Sequence, residues 1–320
     1  MLISMVFAVF YVPPKNTAMH NLKTNFDKFL QLIYKHLSKE LLSDGNFKFY
    51  PRQPKLSDSA ILALTLCSEA LSIDSENYFW SKLKTDHSND FPILIDRSNF
   101  NRRKKNLAPF LAIYNQRMAD KMNEFENVFI VDSMPLPICN IARAAKITIC
   151  KDDFESAPDK GYSSITKTYY MGYKLHLVTS VRGVFHSMQL SKASVHDINY
   201  LQEIKDTGLN NCLLLADKGY LGLEQKTDLF HTARIELQTP HRSNQYQQTL
   251  FPYVFKKCRK RIETQFSQLC DQFMIKRNYA KTYKGLETRI IAKISAFTSL
   301  QYINFITGKS LNKIKHALAS

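Results

Sequence analysis

The chain has 320 residues, of which 44% are hydrophobic, and a formal net charge of +16. This length and composition fit one large globular domain or two smaller ones, and they exclude a low-complexity or collagen-like chain. The charge is uneven, because residues 251–320 hold 14 Lys and Arg against 3 Asp and Glu. Such asymmetry indicates nucleic acid or an acidic membrane surface as partner, and the pI near 9.5 favours nucleic acid.

The cysteines and the N-terminus bear on the compartment. No two of the six cysteines show the C-x-x-C spacing of a zinc site, so a reducing cytoplasm fits them. Residues 1–12 are apolar but too short to span a bilayer, and no other segment reads as a membrane span. We interpret residues 1–19 as an uninformative extension, with Met1 or Met19 as the true start.

Residues 20–127 are predicted to form a helical, DNA-binding region. Apolar residues recur at helical spacing from Asn25 to His36, and Ser57 marks the start of a second helix. A third helix is predicted to start near Ser98 and to bend or restart at Pro109. It carries four consecutive basic residues, which either contact DNA as in a recognition helix or form a solvated face: Arg102, Arg103, Lys104 and Lys105.

Strand patterns dominate from residue 128, and residues 128–283 are predicted to be an α/β catalytic core. We expect a mixed sheet of about five strands, in which the first three are antiparallel. The sequence Arg182-Gly183 reads as the tight turn of a hairpin, and residues 194–201 as a helix. The predicted strands cover residues 128–132, 173–181, 184–190, 212–216 and 234–239.

Helical spacing returns near Val254, in a stretch rich in lysine and arginine. A last helix is predicted over residues 286–306, and Gly308 is a natural stop after it. Residues 284–320 would form a separate C-terminal unit, made of this helix and a basic tail.

Three carboxylates are the candidates for chemistry. Asp132 and Asp217 each end an apolar run, which places them at the carboxyl ends of buried strands, where ligands gather in open α/β sheets. Glu263 lies within the basic helical stretch, at the edge of its apolar stripe. Carboxylate oxygens are the ligands that Mg²⁺ prefers, and two Mg²⁺ ions can activate a nucleophile and neutralise phosphate oxygens together. The three residues therefore predict a two-metal site for phosphoryl transfer, with Mn²⁺ as a possible substitute.

Other residues are secondary candidates. Arg259 and Lys260 share a helix face with Glu263, and with Lys256 they are predicted to grip phosphates near the cut. His196 and Asp197 would either support the metal site or cap a helix. Lys174 and His176 share one face of their strand, where they would approach DNA or pair across strands.

The chain resembles the DDE transposases of bacterial insertion sequences, and most closely those of the insertion sequence 982 type. The resemblance covers roughly residues 20–310. Arg259 also fits part of the Tyr-Arg-Glu-Lys pattern of a related group, but Lys256 and Cys270 stand at its outer positions. The similar blocks are Val131-Asp132-Ser133-Met134-Pro135, Gly172-Tyr173-Lys174-Leu175-His176, Ala193-Ser194-Val195-His196-Asp197, Ala216-Asp217-Lys218-Gly219-Tyr220 and Arg261-Ile262-Glu263-Thr264-Gln265-Phe266.

The resemblance implies an RNase H-like core whose catalytic triad is Asp132, Asp217 and Glu263. It implies a bacterial, nucleoid-associated enzyme that binds the terminal inverted repeats of its element, cleaves DNA and joins the freed 3′ ends to target DNA. Holding two ends together implies a homodimer or a larger assembly. Two alternatives stay open: an RNase H-like nuclease or junction resolvase, and a DNA-binding derivative without catalytic activity.

Overall fold

The computed structural model describes residues 22–164, 166–240 and 252–318. The predicted extension at residues 1–19 lies outside these ranges. Four helices come first: α1 (Leu22–His36), α2 (Asp58–Ala70), α3 (Glu76–Thr85) and α4 (Arg97–Met122). No helix in the described part of the chain is long and apolar enough to cross a membrane.

The starts of these helices follow local capping rules. Ser57 caps α2 as predicted, because its side chain accepts a hydrogen bond from the Ala60 amide. The third predicted helix starts near Ser98 as expected, since α4 begins at Arg97 with Asp96 at its N-cap position. The predicted restart at Pro109 is wrong, because α4 continues through Pro109 as one helix of 26 residues. The basic run therefore belongs to one long helix rather than to a short recognition helix.

One six-stranded sheet follows. Its strands are β1 (Val128–Asn140), β2 (Asp159–Ser163), β3 (Thr168–Ser180), β4 (Phe185–Lys192), β5 (Cys212–Leu215) and β6 (Ile235–Gln238). β3 pairs antiparallel with β1, β2 and β4, whereas β5 pairs parallel with both β1 and β6. This confirms the mixed sheet and the RNase H-like α/β fold, with β2 as an additional strand beside the five expected.

Four more helices flank the sheet. They are α5 (Tyr200–Ile204), α6 (Leu223–Ala233), α7 (Tyr253–Asp271) and α8 (Tyr283–Ile306). The predicted hairpin turn is confirmed, since Gly183 has a φ of +86° between β3 and β4 and donates to the carbonyl of Ser180. The predicted helix at 194–201 is smaller than expected, with one 3₁₀ turn at Asp197–Asn199 before α5.

The two faces of the sheet are buried differently. A smaller cluster on one face joins β1, β5 and β6 to α5 and α6, and includes Phe129, Val131 and Leu214. The larger cluster contains Ile130 and Leu215 from the other face, together with residues of α1, α2, α4, α7 and α8. The alternation of Phe129, Ile130 and Val131 between the clusters is the period of two that a strand imposes. The larger core is therefore continuous across residue 127, the predicted domain boundary.

The last helix lies inside this core. α8 buries residues on every side, among them Ile290, Ile294 and Phe297, and it packs against both α4 and α2. A helix that is apolar all round is a central element of a fold. The domain boundary between residues 283 and 284 stays a prediction. In the structure, α8 packs against both the N-terminal helices and the catalytic core.

Candidate active site

Asp132 lies on β1, and Asp217 comes two residues after the end of the neighbouring strand β5 rather than on it. β1 and β5 are adjacent, as predicted, and are paired from Val128–Leu213 to Ile130–Leu215, so each aspartate comes two residues after the last pair. The prediction that Asp132 ends its strand is wrong, because β1 runs on to Asn140 while antiparallel to β3. The neighbouring strand β5 is shorter and ends at Leu215, so the pairing of β1 with β5 stops just before the two aspartates.

The loop after β5 holds Asp217 in place. Its Oδ1 accepts a hydrogen bond of 2.7 Å from the amide of Gly219, within the turn Lys218–Tyr220. A Cβ atom on Gly219 would lie 2.9 Å from that oxygen and 3.4 Å from Oδ2 of Asp197. A side chain at this position would therefore crowd the carboxylate of Asp217.

Burial dominates the electrostatics of Asp132. Removal from water raises the pKa of its carboxyl from 3.8 to about 7, although the amide of Ser133 donates to it at 2.8 Å and lowers the pKa. The nearby charge of Asp217, and more weakly that of Asp197, also raises the pKa, whereas Arg259 lowers it. When Asp132 and Asp217 are both ionised, the positive charge of Arg259 does not balance their two negative charges.

Asp197 is the third carboxylate near this pair. Lys174 on β3 holds it with an ion pair of 2.8 Å and also donates to the carbonyl of Val195 at 2.6 Å. Of His196 and Asp197, it is His196 that caps the helical turn, because its Nδ1 accepts a hydrogen bond of 3.3 Å from the amide of Ile198. Lys174 and Asp197 therefore neutralise each other beside the site.

His176 is not available to DNA, so of its two predicted alternatives the structure favours the cross-strand role. The side chain is 1% exposed, its Nε2 lies 2.8 Å from Oγ of Ser191, and its ring stacks on Tyr200. Burial lowers the pKa of His176 and keeps the ring neutral. Its Nδ1 is 3.5 Å from the hydroxyl of Tyr220, a buried residue that the sequence analysis did not single out. The sequence signal for Tyr220 is that it ends the block Ala216–Tyr220, which is similar to a block of the insertion-sequence transposases.

Glu263 lies on α7, which packs against β1. Its side chain is exposed, whereas the preceding Ile262 is fully buried. Arg259 lies one turn earlier on the same face, about 6 Å along the helix axis, and its charge reaches Asp132. Nε of Arg259 is buried without a hydrogen-bond partner within the described residues. The structure thus brings Arg259 to the aspartate pair, but it does not gather Glu263 with them.

The donor set fits one divalent cation better than two. Two adjacent carboxylates, one of them strongly desolvated, are hard oxygen ligands whose charge a cation would offset. Within the described ranges, however, no three His, Cys, Asp or Glu side chains lie close enough together to hold a metal ion. The complete three-carboxylate site that the sequence predicted is therefore not assembled in this structure.

The basic residues predicted to contact DNA separate into two groups. Arg103 and Lys104 point inward, and DNA contact by either is a wrong prediction. Arg103 binds Asp58 at 2.6 Å and Lys104 binds Glu76 at 2.6 Å, with both basic side chains about nine-tenths buried. The others are exposed or half-buried and face solvent: Arg102, Lys105, Lys256, Arg259 and Lys260.

Comparisons with known proteins give one family match. A family described as "Transposase DDE domain" matches residues 123–298, which is more than half of the chain. No curated protein is significantly similar to the chain. One solved structure, "Mos1 transposase paired-end complex with left transposon end", is similar at 14% identity over 90% of this chain and 99% of that chain, with a TM-score of 0.24. So low a TM-score supports no argument about fold or function.

The family match spans the whole sheet, both aspartates, α7 and most of α8. Members of this family act on DNA in transposition and generally use divalent metal ions. The chain therefore belongs to the DDE transposase family, as its resemblance to insertion-sequence transposases implied.

Proposed function

We propose that this protein is the transposase of an insertion sequence of the 982 type, which cleaves the ends of its element and joins them to target DNA. The five sequence blocks quoted above support the type. The observation that carries the proposal is that Asp132 on β1 and Asp217, just after the neighbouring strand β5, lie close enough for their charges to interact, with Arg259 of the basic helix α7 near Asp132.

In the proposed reaction a water oxygen attacks the phosphorus at the end of the element. The P–O3′ bond breaks and leaves a 3′-hydroxyl and a 5′-phosphate. The 3′-hydroxyl then attacks a phosphorus of target DNA, forms a new P–O3′ bond and releases a target 3′-hydroxyl. Each step exchanges one phosphodiester or water oxygen for another, so no external oxidant or energy source is needed.

The chain would contribute ligands and charge. Asp132 and Asp217 would hold a divalent cation. Glu263 stays the proposed third ligand because it follows Arg259 by one turn on α7, and it would have to move toward the aspartates to bind the same cation, since it is exposed and apart from them in this structure. Bound Mg²⁺ would polarise the phosphate and raise the acidity of the attacking water or hydroxyl. Arg259 would neutralise a phosphate oxygen near the aspartates, since its buried Nε lacks a partner. Lys256 and Lys260, both exposed on the same helix, would bind flanking phosphates.

The remaining roles are proposals of the same kind. Residues 20–127 would bind the terminal inverted repeats, residues 128–283 would perform the chemistry, and residues 284–320 would support both. Joining two ends requires at least a dimer on DNA. Such a protein would act at the bacterial nucleoid.

The direct test uses the purified protein, DNA that flanks its coding sequence, a target plasmid and Mg²⁺. Sequencing the products distinguishes the candidate activities. Products in which element ends are joined to target DNA support a transposase. Cleavage without joining would instead indicate a nuclease or resolvase, and DNA binding without any metal-dependent product would indicate an inactive derivative.

A further inference from the structure

Two adjoining cavities open where the starts of α4 and α8 meet. They measure about 430 Å³ and about 360 Å³, and Arg97, Asn101 and Lys105 line both of them. The shared lining makes them one groove. Lys281 extends the first cavity, and Arg102 and Lys284 extend the second.

The acidic side chains in this groove are already neutralised. Asp74 binds Arg289 at 2.7 Å, and Glu76 binds Lys104 at 2.6 Å and Arg97 at 3.3 Å. These ion pairs use two buried cations, Arg289 and Lys104, and the half-exposed Arg97. The carboxylates therefore add little negative potential to the open side of the groove.

Four cations remain on the open side, without an acidic partner in the part of the chain that the structure describes. They come from distant parts of the sequence. Lys105 lies against the start of α8, because its Cε is 3.6 Å from where a Cβ on Gly285 would stand, and it lines the same cavity as Lys284. The four are Arg102, Lys105, Lys281 and Lys284.

The aromatic ring at the rim adds to this surface. Tyr279 is 63% exposed, and the guanidinium of Arg289 lies 5.4 Å from its ring centroid. An exposed ring held against a cation, next to uncompensated lysines, can lie against a sugar or base while the lysines contact phosphates.

We propose that this composite groove binds the phosphate backbone of duplex DNA, away from the cleavage site. The inference rests on the proposed function, because it takes DNA as the substrate. It replaces the linear cluster predicted from the sequence with a surface built from both halves of the chain. Arg102 and Lys105 are retained, Arg103 and Lys104 are removed, and Lys281 and Lys284 are added.

The test measures binding of a random-sequence DNA duplex across a KCl series in buffer with EDTA, so that cleavage is not required. The groove variant K105Q/K281Q/K284Q is compared with the charge-matched variant K309Q/K313Q/K315Q, whose lysines are exposed after α8. Each lost phosphate contact should flatten the slope of log affinity against log salt by about 0.9, so the groove variant should lose up to about 2.7. The control variant should keep the wild-type slope, and both should keep the wild-type melting temperature.

Three results would overturn the inference. Equal slopes for the groove variant and wild type would show that the groove makes no phosphate contacts. Equal losses in both triple variants would show that only net charge matters. Loss of poly-L-glutamate binding with unchanged DNA binding would assign the groove to an acidic protein partner. Failure of the proposed function would give a different result. A protein that binds duplex DNA through the groove but forms no joined products would contradict the proposed function and leave this inference intact.

Discussion

At the scale of single residues, the environment of Asp132 is the most informative feature. A carboxyl group whose pKa is raised to about 7 by burial binds a proton more tightly in the folded chain than in the unfolded chain. Between about pH 4 and pH 7 the folded state therefore holds more protons, and its stability falls as the pH rises. Such a residue weakens the metal-free fold, which is the expected cost of a preformed cation site.

Asp132→Asn should therefore stabilise the metal-free protein above pH 7, by on the order of 2 kcal/mol after allowance for solvent screening. The asparagine carries no charge, and its Oδ1 can still accept from the amide of Ser133. Urea denaturation at pH 5 and pH 8 measures the effect. The gain should be about 40% as large at pH 5 as at pH 8, because it grows from the unfolded pKa near 4 up to the folded pKa near 7. A gain that is equal at both pH values would show that the charge of Asp132 is not its source.

At the scale of elements, burial separates neighbouring residues of α4 that look alike in the sequence. Arg103 is buried against Asp58, which also accepts hydrogen bonds from the hydroxyl of Tyr50 and the amide of Phe47. Arg102 is exposed. The ion pair ties α4 to the start of α2, so its role lies in packing of the helical region.

Arg103→Ala should destabilise the protein by about 3–5 kcal/mol, because it leaves Asp58 buried without its counter-charge. Arg102→Ala is the matched control and should change stability by less than about 0.5 kcal/mol. Thermal denaturation of both variants measures the difference. Similar melting temperatures for the two would mean that the Arg103–Asp58 pair does not hold α4 against α2.

The spacing of apolar residues along the chain predicts most of the helices and strands, but not which residues of other elements they pack against. The helices at residues 22–36 and 253–271, the hairpin turn at Gly183 and the strands of both aspartates follow from local patterns. The length of β1 beyond Asp132 does not, because pairing with β3 sustains it after β5 has ended. Nor could a run of four basic residues reveal which two meet buried carboxylates on other elements. The groove that joins Lys105 to Lys284 is likewise a product of tertiary packing.

At the scale of the whole molecule, α8 connects the regions that the sequence analysis separated. Lys293 is 1% exposed and binds Glu69 of α2 at 2.6 Å, while Phe297 packs edge-on against Phe185 of β4. The larger core includes the N-terminal helices and one face of the sheet. So continuous a core fixes the N-terminal helices relative to the aspartates.

Lys293→Met should consequently lower the stability of the entire chain by about 3–5 kcal/mol rather than loosen one region, since Glu69 stays buried and unpaired. We expect one cooperative transition, at the same temperature by far-ultraviolet circular dichroism and by fluorescence of Trp80 in α3. The double variant Glu69→Leu/Lys293→Met should recover much of the loss, because it removes both charges. Two separate transitions would contradict a shared core.

The central claim is that Asp132, Asp217 and Glu263 form one metal-dependent site for DNA cleavage. It is tested most directly by measuring Mg²⁺-dependent cleavage of element-end DNA, and binding of the same DNA in EDTA, for Asp132→Asn, Asp217→Asn and Glu263→Gln. Glu287→Gln, an exposed glutamate on α8, is the control. The account predicts that each of the three variants loses cleavage by at least about 100-fold while binding stays within a few-fold of wild type. Near-normal cleavage by Glu263→Gln, with the two aspartate variants inactive, would contradict the assignment of the third ligand to α7.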